Sequence, residues 1–152
     1  MTQPLRLSSY NDQKSLYAVF EENTETAWLY LCLSADNTSE VIGDVFVCNK
    51  IELIKNSELE RYKPNLPPIT VGFGTPDAVC NNINKVTWEL QWIADNSIVL
   101  TKDQKPWALI SHEEERGMCK AIKKTGPWGN EWDEEKYQKL CNVNIINGAG
   151  LN

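Results

Sequence analysis

Val86-Thr87-Trp88-Glu89-Leu90-Gln91-Trp92 decides the fold class. Apolar residues at 86, 88, 90 and 92 alternate with polar ones at 87, 89 and 91. A period of two is what a strand with one buried face produces. Asp95-Asn96 turns the chain into a second run, residues 98–101, and Asp103-Gln104 turns it again into residues 106–111. Proline has no donor for the ladder, so Pro106 has to begin a strand or lie at an edge. Residues 117–122 supply a candidate fourth strand. The stretch predicts an antiparallel meander.

Working outward toward the N-terminus, a second meander is predicted. Residues 15–22 set Leu16, Ala18 and Phe20 against Tyr17 and Val19. The polar turn Glu22-Asn23-Thr24-Glu25 leads into residues 26–34, which hold the longest apolar run, Ala27-Trp28-Leu29-Tyr30-Leu31-Cys32-Leu33. A membrane span needs about 20 such residues, so this run reads as a buried strand. After Asp36-Asn37-Thr38-Ser39, residues 41–49 place Val41, Val45 and Val47 on one face and Ile42, Asp44, Phe46 and Cys48 on the other.

Between the meanders the pattern is helical only in short pieces. Ser57-Glu58-Leu59-Glu60 is a capping box, and Pro64, Pro67 and Pro68 stop what it starts. Residues 69–73 read as a short strand, and Thr75-Pro76 starts a second helix that reaches Ile83. Short helices are thus expected near 57–63 and 76–83.

Beyond the second meander, Gly126-Pro127-Trp128-Gly129 is a rigid loop before a helix at about 134–141. Asp133 is the expected N-cap, Glu134 and Glu135 favour the positive end of the helix dipole, and Trp132 with Tyr137 fits a hydrophobic staple. Tyr137, Leu140 and Cys141 share one face, and residues 147–152 are expected to fray. The fold expectation is a mainly β (α+β) domain spanning 1–152: an antiparallel sheet built from two meanders, with the C-terminal helix packed on it.

Composition narrows the function classes. The 152 residues are 41% hydrophobic and 24% charged, a globular balance, and 15 Lys and Arg against 21 Asp and Glu give a net charge of −6. Nucleic-acid affinity comes largely from cations neutralising phosphates, so this balance argues against a nucleic-acid partner and suits a basic one. Residues 1–7 show no apolar segment of the signal-peptide kind. The five cysteines, 32, 48, 80, 119 and 141, are odd in number and have no C-x-x-C pair, which predicts free thiols. Together these features predict a cytoplasmic protein with no disulfide framework, no metal and no membrane segment.

Catalytic constellations are sparse. His112 is the single histidine, and a Cys-His dyad would need Cys119, seven residues on. Glu113 and Glu115 would share a strand face, but solvated charge explains them more simply than a two-carboxylate hydrolase. Val71-Gly72-Phe73-Gly74 has too few glycines, and no following Lys-Ser/Thr, for a phosphate loop. No cofactor site emerges.

Six tryptophans are a larger signal. Trp88 and Trp92 read as core. Trp128 and Trp132 stand among carboxylates, where they read either as binding anchors or as plugs at the open end of a sheet.

Phe20-Glu21-Glu22-Asn23-Thr24-Glu25-Thr26-Ala27-Trp28-Leu29-Tyr30 resembles the F-E-D-D-G-E-T-G-Y-F-Y signature of a bacterial domain family of unknown function. Residues 92–95, Trp107-Ala108-Leu109-Ile110 and Glu115-Arg116-Gly117-Met118-Cys119 are similar to that family's later block. In that block a tryptophan strand leads through a hairpin to an R-G-Y-C-R-like segment. Met118 replaces the family's aromatic, and Asn23-Thr24 replaces its usual turn pair. The resemblance implies a β-rich domain and carries no activity with it.

Size, acidity and the lack of an active site give the profile of a non-enzymatic binding protein. Bacterial immunity proteins, which neutralise a basic toxin domain by occlusion, share that profile by type. The expected contact residues are Glu113, Glu114, Glu115, Trp128, Trp132, Asp133, Glu134 and Glu135. The alternatives are a small hydrolase using His112 with Cys119 or nearby carboxylates, and a subunit of a larger assembly.

Overall fold

The structure, a computed structural model, describes residues 3–11, 14–35, 38–62, 66–94 and 96–150, without the side chains of 35 and 143–150. The expected turn residues Asp36, Asn37 and Asp95, the stop at Pro64 and the tail end 151–152 lie outside the described residues.

The N-terminal meander has four strands in the order β1-β2-β3-β4, all antiparallel: β1 Arg6–Asn11, β2 Leu16–Glu22, β3 Thr26–Ala35 and β4 Thr38–Asn49. The β2–β3 turn forms where its residue types predict it. Asn23 Oδ1 accepts from the backbone N–H groups of Glu25 and Thr26 at 3.0 and 2.9 Å, an Asx turn. Sequence reading missed β1, whose burial alternates through Arg6-Leu7-Ser8-Ser9-Tyr10-Asn11 with few apolar residues. Its partners supply what its composition lacks: Leu7 opposes Phe20, and Ser9 Oγ accepts from Trp92 Nε1 at 2.9 Å.

The second sheet has the order β5-β6-β7-β8-β9. β5 Trp88–Ile93, β6 Ser97–Lys102 and β7 Lys105–Ser111 form the expected meander, and Pro106 stands second in its strand. Asp103 and Gln104 both have positive φ, 50° and 70°, the backbone of a two-residue hairpin turn. The fourth strand shrinks to β8 Met118–Cys119, and β9 Asn130–Glu131 pairs with it in parallel.

The two sheets close on one core. Leu16, Ala18, Phe20, Leu29 and Leu31 of the first meet Leu100, Ala108 and Ile110 of the second, all fully or nearly fully buried. The 115–117 segment stitches them together at the β4 edge. Asp44 N–H donates to Glu115 O at 3.2 Å, and Gly117 N–H donates to Asp44 O at 2.8 Å. Across the segment, Asn130 N–H donates to Gly117 O at 2.9 Å. Gly117 is required there: a Cβ would lie 2.5 Å from Leu109 O and 2.7 Å from Ile110 Cγ1.

α1, Glu134–Gly150, covers the outer face of the second sheet, where Trp132, Tyr137, Leu140 and Cys141 pack on Ile93, Val99, Leu109 and Met118. Asp133 is its N-cap, accepting from Lys136 N–H at 3.1 Å, and the Trp132 and Tyr137 rings staple it at 5.4 Å. The helix runs past the expected end at Cys141. Asn142-Val143-Asn144-Ile145 are poor helix formers, but a helix already nucleated needs only one bond per added residue.

Three middle expectations change form. The helix near 57–63 is a 3-10 helix, Asn56–Tyr62, and the carboxylate reaching back to its start is Glu58, which accepts from Lys55 N–H at 3.2 Å. The second helix breaks at Asn81-Asn82 into two 3-10 turns, Pro76–Ala78 and Ile83–Lys85. Residues 69–73 are not a strand. Thr70 bridges to Ile54, and its carbonyl then accepts from Phe73 and Gly74 N–H, which folds the segment into a turn.

Candidate binding surface

The two acidic segments of the C-terminal third meet. Glu114, in the loop after β7, pairs with Lys136 in the first turn of α1. Between them lies an open depression of about 590 Å³, lined among others by Glu114, Glu131, Trp132, Asp133 and Glu134. Its lining includes the half-buried Trp132. Trp132 Nε1 donates to Glu134 Oε1 at 2.9 Å, Gln138 Nε2 donates to Glu134 Oε2 at 2.7 Å, and the Lys120 ammonium stands 5.1 Å from the Trp132 ring centre. The Gln138 bond, followed by the Trp132 bond, lowers the pKa of the exposed Glu134 carboxyl. The side-chain geometry of the tryptophan is therefore fixed from several sides.

The glutamate triplet does not act as one cluster. Residues 112–117 are turn and irregular backbone, so Glu113 and Glu115 share no strand face. Glu113 is exposed, Glu114 faces α1, and Glu115 lines a second open depression of about 500 Å³ with Glu40, Asp44 and Arg116. Burial raises the pKa of the Asp44 carboxyl there, while the Arg116 charge opposes that rise. Glu135 is exposed and pairs along the helix with Lys139 at 3.2 Å.

Trp128 falls to the plug reading. It is 2% exposed, its Nε1 donates to Pro67 O at 3.0 Å, and its ring lies 5.2 Å from that of Phe73. The Gly126–Gly129 loop closes on itself through two backbone bonds and turns the indole inward. Trp128 therefore offers no surface to a partner. The signal in the sequence was the loop's tight Gly-Pro-Trp-Gly frame, which suits a buried side chain as well as an exposed one.

The proposed Cys-His dyad is not assembled. Cys119 is fully buried opposite Ala108, whereas His112 is exposed in the turn after β7. Burial pushes the Cys119 thiol up to about 12, which removes it as a nucleophile. Among the described residues no group of three or more His, Cys, Asp or Glu is arranged to hold a metal ion, and no helix is long and apolar enough to cross a membrane.

No family model, curated protein or solved structure matches the chain. The family resemblance around residues 20–30 and 92–119 accordingly rests on those residues themselves.

Proposed function

We propose that the chain is a non-enzymatic cytoplasmic binding protein of the immunity type, occluding a basic protein domain with its C-terminal third. The observation that carries this reading is the joining of Glu114, Glu131, Asp133 and Glu134 around a partly exposed Trp132 whose ring position is fixed. Carboxylates steer a basic partner and raise its association rate; an aromatic anchor desolvated on contact slows its release. A fixed ring also loses little side-chain entropy on binding. The net charge of −6 supports the same polarity of partner. Trp128 leaves the contact set; Glu114, Trp132, Asp133 and Glu134 line the depression, and Glu113, Glu115 and Glu135 remain as outlying charges.

The test is capture of the partner from a bacterial host, followed by surface kinetics with Trp132→Ala and with Glu113→Lys/Glu114→Lys. The expected partner is basic, Trp132→Ala dissociates faster, and the charge-reversed variant associates more slowly. Parent-like kinetics for both folded variants would remove the interface from this surface.

A further inference from the structure

A second cluster lies away from this surface and brings three thiols together. Cys48 is on β4, Cys80 lies between the two 3-10 turns, and Cys119 is on β8. Cys80 N–H donates to Asn49 O at 2.7 Å, and Asn49 bridges Val79, which brings the Cys80 side chain onto that of Cys48. The Cys119 thiol points to Val47 O at 3.7 Å, and the same carbonyl accepts from Trp107 Nε1 at 3.1 Å. The Lys102 ammonium stands 4.3 Å from the centre of the Trp107 ring and acts electrostatically on all three sulfurs.

The three thiols are not equivalent. Cys48 and Cys119 are fully buried, while Cys80 retains 8% of its surface. Cys80 lies beside Cys48, the Asn82 backbone and the Lys102 charge, with Asp103 as the opposing charge. The Cys48 contact comes first among the causes that lower the Cys80 pKa, and the same contact, followed by burial, raises that of Cys48. A thiolate next to a protonated thiol is the arrangement in which one sulfur attacks and the other resolves.

We propose that Cys80 is a modification site for hydroperoxides, with Cys48 as its resolving thiol. The Cys80 thiolate attacks the peroxide O–O bond and takes its terminal OH, so sulfur is oxidised to the sulfenic acid; the leaving alkoxide, or hydroxide from hydrogen peroxide, takes a proton from water to give the alcohol or water. Cys48 then attacks that sulfur, an S–S bond forms, and water leaves with the thiol proton. The disulfide would lock the 79–82 link onto β4.

Exposure of the full chain to hydrogen peroxide, with peptide mapping by mass spectrometry, tests this. The expected product has lost two thiols and contains a 48–80 linked peptide, with Cys141, the half-buried thiol on α1, as internal reference. Cys48→Ala should leave a sulfenic acid on Cys80 that a dione reagent traps, and Cys80→Ala should abolish both products. Should either variant fail to fold, the parent decides by its alkylation profile. At pH 6.5 Cys80 should be alkylated ahead of Cys141. Cys141 consumed while Cys80 persists overturns the assignment. So does a sulfenic acid on Cys80 in the parent with no linkage to Cys48.

Discussion

Lys136, in the first turn of α1, forms an ion pair with Glu114, in the loop after β7. This contact fixes one acidic segment against the other, and it also neutralises one carboxylate of the surface. Both side chains remain partly solvated, so the pair itself contributes little to stability. Lys136→Ala should lower stability by less than about 1 kcal/mol in urea titration. It should at the same time speed association with a basic partner at low salt, because it frees the Glu114 charge.

Trp132 and Trp128 should separate cleanly under alanine substitution. Trp128→Ala empties a core site and should cost about 3–5 kcal/mol of folding stability in denaturant titration. Trp132→Ala removes the staple against Tyr137 and the bond to Glu134, and should cost about 1–2 kcal/mol of stability. Its larger effect should be about 2 kcal/mol or more of binding, as faster dissociation in surface kinetics.

Gly129→Ala should destabilise the protein strongly. Gly129 has φ +138°, and a Cβ there would lie 2.7 Å from Val45 Cγ2 and 3.1 Å from Gly117 O. The strain and the overlap fall on the seam between the sheets. A loss of about 2–4 kcal/mol in chemical unfolding is expected, against a few tenths for an exposed glycine.

Asp44 should make stability fall as pH rises. Burial raises its folded pKa above the unfolded value, so the native state holds more protons in the window between the two. Where the native state binds more protons, stability declines with pH, and the loss is complete above the folded pKa. Asp44→Asn should therefore raise the urea midpoint at pH 7 and leave it unchanged near pH 3, where the native carboxyl is already neutral. An equal shift at both pH values would point to packing instead.

Asp133→Ala removes the cap of α1, whose carboxylate accepts from Lys136 N–H. A loss of about 1 kcal/mol in thermal or denaturant unfolding is expected, with a smaller loss for Asp133→Asn because the amide oxygen still accepts.

Local chemistry was readable along the chain. The alternation at 86–92 specified a half-buried strand, Asn23 specified a turn, and Asp133 with Trp132 and Tyr137 specified a helix start, since each depends on groups within a few residues. β1 was not readable, because Ser8, Ser9 and Asn11 acquire strand geometry from their ladder with β2. Trp128 and Trp132, four positions apart and both among carboxylates, could not be told apart by composition. The Gly126–Gly129 closure turned one inward onto Phe73 and left the other half exposed beside α1. The five cysteines were legible only as unpaired by spacing. Three of them meet because backbone bonds far apart in sequence, Cys80 to Asn49 and the pairing of β7 with β8, bring distant segments onto β4. Contacts between residues tens of positions apart depend on closing the chain around a shared core, and that is a property of the tertiary structure alone.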